Sequence, residues 1–169
     1  DMKKKFKTLF FVKSSLISLY LALTIPIPFI SIEEFKIISI ILFVLGITLI
    51  VNITSDYVET SNEKIFYKTT FISNMIGYKS WEIHWKDIKL IKSSPTSQGS
   101  KVFYFITFGG QEFLVPQRIE NIEEFYSLIM GRTGLQIEGF KYISPMWTYK
   151  LLTLISLFMV IGEIISFSI

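Results

Sequence analysis

Cysteine is absent from all 169 residues, which removes disulfides, thiolate nucleophiles and sulfur-ligated metals in one step. Histidine is almost absent: His84 stands alone, with no serine or cysteine motif beside it. It falls on the polar side of an alternating segment, where a solvated imidazole is expected rather than a general base. HExxH and the glycine-rich loops that cradle phosphates or dinucleotides are also missing. Charge is scarce as well, at 18% of residues and a net of +3. Residues 55–150 carry eleven Lys or Arg against ten Asp or Glu, which leaves no basic face for nucleic acid. The expectation is a protein that is not an enzyme, with no cofactor, no metal, no nucleic-acid partner and no evident small-molecule substrate.

Apolar surface is abundant. Half the residues are hydrophobic, the mean hydropathy is +0.48, and sixteen Phe and eight Tyr are present, a composition that makes a bilayer part of the solvent. Ser14 to Ile30 is uncharged over seventeen residues and Ile37 to Ser55 over nineteen, each long enough for a hydrocarbon core of ~30 Å at ~1.5 Å per residue. Only Ser31 to Lys36 separates them, so an antiparallel helical hairpin is expected. Pro26 and Pro28 should loosen the end of its first helix near the interface. A cleavable signal peptide is the competing reading, but no small-residue cleavage site followed by a polar start is present. Lys3, Lys4, Lys5, Lys7 and Lys13 precede the hairpin and Glu33 and Glu34 sit in its turn, which places the N-terminus in the cytoplasm and the following segment back on that side. Asp1 precedes Met2, the expected natural start.

Leu151 to Ile169 is apolar except for Glu163 and follows Trp147, Tyr149 and Lys150, residues that anchor helices at interfaces. A third transmembrane helix is expected there. Glu163 lies thirteen residues beyond Lys150, roughly 20 Å deeper at the helical rise. A carboxyl at that depth is costly, so it is either protonated, reaching for the far interface, or a contact for a partner helix.

Between the apolar segments the period changes. Trp81, Ile83 and Trp85 alternate with Glu82, His84 and Lys86, as in a half-buried strand. Ile65–Ile72 and Val102–Phe108 are rich in β-branched and aromatic residues and read as strands, and Asp87–Ile91 as another. Gly109-Gly110 suits a two-residue hairpin turn into Glu112–Val115, and Ser93–Ser100 reads as a polar loop. A helix should start at Asn121 with Glu124 completing a capping box and Ile122, Phe125, Leu128 and Ile129 facing inward; Gly131 and Gly134 should bracket its end.

The order Asp56-Tyr57-Val58-Glu59, turn Ser61-Asn62-Glu63, strand Lys64-Ile65-Phe66-Tyr67, then Trp85-Lys86-Asp87-Ile88, Phe113-Leu114-Val115-Pro116 and the helix from Asn121 resembles the bacterial pleckstrin-homology-like domains of small membrane proteins. The W-x-D-I step and the N-x-E-E-F helix start carry the likeness over about seventy-five residues. The Ser93–Lys101 stretch and the helix entry are also similar to small cyanobacterial membrane proteins without assigned function. The resemblance implies an α+β membrane protein in which a bent, antiparallel β-barrel or sheet of about seven strands is capped by a helix. Five or six of those strands are readable, and 74–79 supplies a further strand or a loop.

The expected organisation is a basic cytoplasmic N-terminus over 1–13, a transmembrane hairpin over 14–55, a PH-like cytoplasmic domain over 56–140, and a C-terminal transmembrane helix with its lead-in over 141–169. The expected setting is a bacterial inner membrane, or a thylakoid membrane in a cyanobacterium. The family shares no catalytic set, so the resemblance implies no activity. Two functions are in view. In one, the chain is a scaffold, assembly factor or accessory subunit that docks a membrane-protein partner, with Glu163 as an intramembrane contact. In the other, Lys86, Lys89, Lys92 and Lys101 read anionic lipid, each lysine gaining ~1 kcal/mol near a negative leaflet. Tethering at both ends makes lipid recognition unnecessary for targeting and favours partner docking. Transport through a cavity shared around Glu163 is the weakest reading, because three helices leave little room.

Overall fold

The computed structural model describes residues 3–97 and 99–168. Asp1, Met2, Gln98 of the expected polar loop and Ile169 lie outside the described residues. The chain divides into two compact units, one comprising the segment up to Leu9 with Ser55–Ser144, the other Phe10–Thr54 with the segment from Pro145.

The first unit begins before the apolar hairpin. Lys4–Lys7, in which Phe6 is buried among three exposed lysines, forms strand β1, which pairs antiparallel with β2 (Tyr57–Thr60). β3 (Lys64–Lys68) and β4 (Trp81–His84) complete a four-stranded sheet in the order β1-β2-β3-β4. A single 3-10 turn, Trp85–Asp87, leads into β5 (Ile88–Pro95), which with β6 (Lys101–Thr107) and β7 (Glu112–Leu114) forms a second, three-stranded antiparallel sheet. These are two separate sheets rather than the closed barrel allowed by the sequence. Beyond β1, Thr8 bridges Ile119, the Leu9 N–H donates to Arg118 O and the Glu120 N–H to Lys7 O, so the segment after β7 returns to the first strand.

Several local expectations shift for identifiable reasons. The strand expected over Ile65–Ile72 stops at Lys68, because the Thr70 side chain caps a short helix α4 (Phe71–Met75) by accepting from the Ser73 N–H. The polar Ser93–Pro95 segment belongs to β5, paired with Phe103, Val102 and Lys101; Pro95 is tolerated because β5 is an edge strand. The Gly109-Gly110 turn contains three residues: the Gly110 N–H donates to Thr107 O, the Thr107 N–H to Gln111 O, and Gly110 sits at φ 78°. That is a type I turn closed by a left-handed glycine.

Helix α5 (Ile122–Thr133) buries Ile122, Phe125 and Ile129. Its entry is not a capping box. Asn121 is left-handed at φ 54° with no side-chain cap, a conformation asparagine tolerates, and Glu124 instead binds Lys4 Nζ at 2.6 Å. Gly134, left-handed, closes the other end through its N–H to Met130 O. The core joins Phe6, Val58, Ile65, Phe105, Phe125 and Ile129, all buried, with the Phe6 and Phe125 rings 5.1 Å apart.

The second unit holds α1 (Phe10–Thr24), α2 (Pro26–Ile30), α3 (Glu33–Ile53) and α6 (Met146–Ser168). Three spans, 10–30, 33–53 and 146–168, are long and apolar enough to cross a membrane. α1 turns Ser15, Ser18 and Ala22 inward, small residues that let helices approach closely. Ser14 meets Thr153 at 3.4 Å and Phe29 stacks on Phe167 at 4.6 Å, so the first span and α6 run parallel. Tyr20 donates to Phe43 O at 2.9 Å; a Cβ on Gly46 would meet that tyrosine's hydroxyl, so a side chain there would have to displace the Tyr20 ring.

Candidate functional site

The most distinctive surface of the first unit lies where its two sheets meet at their edges. β4 ends one sheet and β7 ends the other. Alternation along β4 puts Trp81 on the inner side with Ile83, yet at the strand's start, where the ring is only partly covered. It bridges the sheets, 5.8 Å from Tyr67 of β3, 6.1 Å from Phe105 of β6 and 5.5 Å from Phe113 of β7. Above this aromatic floor opens a cavity of about 470 Å³, walled by Tyr67, Tyr78, Trp81, Phe113, Leu114 and Pro116. Lys79 and Glu112 stand among its lining residues with opposite charges. Its shape and lining suit binding: aromatic area, two strand edges with backbone groups to offer, and one charge of each sign.

A second cavity, of about 290 Å³, shares Tyr67, Tyr78, Leu114 and Pro116 with the first and is also lined by Thr8, Asp56, Gln117 and Ile143. Asp56 organises it. One carboxylate oxygen accepts from the Thr70 N–H at 2.8 Å and the Ser73 hydroxyl at 2.9 Å, the other from the Tyr67 hydroxyl at 3.3 Å. The Asp56 carbonyl accepts from Thr8 Oγ1 at 2.8 Å. Burial first, then the Asp56 charge and hydrogen bond, push the Tyr67 hydroxyl far above its usual range, so it remains a neutral donor. Gln117 donates to Lys101 O at 3.1 Å and Lys141 O at 2.9 Å, while its buried Oε1 has no protein partner.

The four lysines singled out in the sequence are not gathered into one patch. Lys86 lies in the 3-10 turn before β5, beside Asn62, Trp85 and Arg132. Lys101 pairs with Pro95 at the opposite end of β5. Lys89 sits where the β5 register slips between Ile88 and Leu90, and Lys92 is 3.6 Å from Glu112. His84, at the end of β4, lines shallow hollows on either side of that strand with Glu82 and Asp87 and with Glu63 and Lys86. Glu163 is partly covered on α6, on the same face as buried Ser156; its Oε2 is buried without a protein hydrogen-bond partner.

Sequence reasoning missed both the groove and Asp56. The groove depends on Trp81 and Phe113, 32 positions apart, meeting across two sheets, a pairing no local period encodes. Asp56 reads as the start of a strand; the Thr70-x-x-Ser73 spacing that its carboxylate supports was a usable signal for a helix cap.

No protein-family model matches the sequence. The chain is similar to the uncharacterized protein slr0269 of Synechocystis sp., with 27% identity over 149 residues that cover 85% of this chain and 75% of that protein. The likeness accords with the expected bacterial, cyanobacterial-type relatives of unassigned function.

Proposed function

We propose that the protein is a non-enzymatic integral membrane protein that docks a partner within a bacterial membrane complex, as a scaffold, assembly factor or accessory subunit. The groove between β4 and β7 takes an extended segment of a membrane-protein partner. The observation that carries this reading is the aromatic floor of Tyr67, Trp81 and Phe113 lying between two free strand edges. An added strand supplies main-chain hydrogen bonds to such an edge, and alternate side chains fill the apolar pocket. Three long apolar helices support membrane residence. Seven strands in two antiparallel sheets, followed by α5, support the PH-like reading of the first unit, with the apolar hairpin inserted after its first strand.

The test is site-specific photo-crosslinking in native membranes. A photoreactive residue at Leu114, exposed in the groove, is expected to give one discrete adduct with a membrane protein. The same group at Phe108, exposed in the β6–β7 turn, is expected to give none, and Trp81→Ala is expected to abolish the Leu114 adduct. Identical crosslinking at both positions, or an uncrosslinked monomer throughout, overturns the reading.

A further inference from the structure

The 69–80 segment between β3 and β4 carries an apolar face that the unit's own core leaves uncovered. Phe71 is 78% exposed, Met75 73% and Ile76 52%. Between Thr69 and Ser80 the only charged residue is Lys79. A free loop would not hold three large apolar side chains in water, yet this one is tightly fastened. The Thr69 N–H donates to Ser80 Oγ at 3.0 Å, and the two hydroxyls are 2.8 Å apart, closing the neck. Asp56 clamps the inside through the Thr70 N–H and the Ser73 hydroxyl. The segment is therefore built to present Phe71, Met75 and Ile76 outward.

Its position within the unit says to what. The unit's chain ends at Leu9, Ser55 and Ser144. The neighbouring residues Thr8, Asp56 and Ile143 all line one cavity, together with Tyr78 of this segment. The three exits and the 69–80 segment thus share one pole. At all three exits an apolar helix begins or ends within two residues: α1 starts at Phe10, α3 stops at Ile53 and α6 starts at Met146. Cations stand at the same pole. Lys7 and Lys68 flank Tyr57 in one row across β1, β2 and β3, and Lys79 lies in the segment itself. Apolar side chains that dip into the headgroup boundary beside lysines are the chemistry of a monotopic membrane contact.

We propose that the 69–80 segment is an interfacial wedge, with Phe71, Met75 and Ile76 seated in the acyl–headgroup boundary of the membrane that the apolar helices enter. The inference rests on the membrane reading above, and the segment's end at Tyr78 and Lys79 also lines the groove. It gives the folded unit a second hold on the bilayer, apart from its covalent connections, and so fixes which of its faces is turned to cytoplasm.

The absence of native cysteine makes the test direct. Single-cysteine variants Met75→Cys, Phe108→Cys and Leu157→Cys of the full chain are spin-labelled in nanodiscs of phosphatidylcholine and phosphatidylglycerol. Collisional relaxation by oxygen, which partitions into lipid, is compared with that by a water-soluble nickel chelate. Position 157, exposed on α6, reports whether that helix is embedded. Position 108 is an aqueous control: its N–H bonds Asp87 O beyond the opposite end of β4 from Ser80. The expected result is an oxygen-to-nickel ratio at 75 several-fold above that at 108 and intermediate between 108 and 157. A ratio at 75 equal to that at 108, with 157 still lipidic, overturns the wedge and leaves the membrane reading standing. An aqueous signal at 157 overturns both.

Discussion

At the scale of single residues, the first unit is organised by acids whose partners lie on neighbouring elements. Asp56 gathers donors from Tyr67, Thr70 and Ser73, so one carboxylate supports both a strand and the short helix after it. Glu59 plays a comparable part on β2. It accepts from Lys68 Nζ at 3.1 Å and faces Lys3 Nζ at 3.8 Å. The Lys68 hydrogen bond, opposed by burial and aided by the charges of Lys68, Lys3 and Lys5, holds the Glu59 carboxyl below the ordinary value of 4.5. A depressed acid stabilises the fold at pH above its unfolded value, and that contribution drains away as pH falls through the lower folded value. Glu59→Gln is therefore expected to lower Tm at neutral pH and to flatten the decline of Tm below pH 4.5, followed by thermal unfolding of the detergent-solubilised chain. A parallel acid decline in both proteins would contradict the assignment.

At the scale of elements, alternation was legible in Trp81 and Ile83 of β4 and in Phe103 and Phe105 of β6, while the strand expected through Lys86 ends at His84 and Trp85 is buried from a 3-10 turn. The inward stripe of α5 was legible too, and the three apolar helices follow from composition. What was not legible depended on long-range pairing. Lys4–Lys7 reads as a basic flank because its charge dominates its composition; only pairing with Tyr57–Thr60 makes it a strand. Glu124 reads as a capping residue because its spacing from Asn121 is right, while Lys4, 120 positions away, claims it instead. Phe6 measures how much β1 matters. It is 3% exposed and packs on Phe125, so Phe6→Ala is expected to cost about 3–5 kcal/mol. Limited proteolysis of the full chain should then cut within 55–144, remote from the mutation. Unchanged protease resistance there would show that β1 is dispensable to the sheet.

At the scale of the whole molecule, the folded unit is discontinuous: its first strand precedes the apolar hairpin and its remaining six follow it. The apolar hairpin is thus an insertion into the unit, and if it crosses a membrane the core can close only once the chain is back on the side of β1. A membrane crossing an odd number of times between β1 and β2 would leave β1 on the wrong face. The sheet itself therefore argues for an even crossing, a stronger constraint than the lysine bias that first suggested it.

A two-crossing hairpin requires its turn and the folded unit to lie on opposite faces of one bilayer. The measurement is labelling of Glu34→Cys and Phe108→Cys, each the sole cysteine of the full chain, with a membrane-impermeant maleimide in intact cells and again after permeabilisation. Position 34 is expected to label in intact cells and position 108 only once the membrane is opened. Labelling of both positions from the outside, or of neither until permeabilisation, would contradict it.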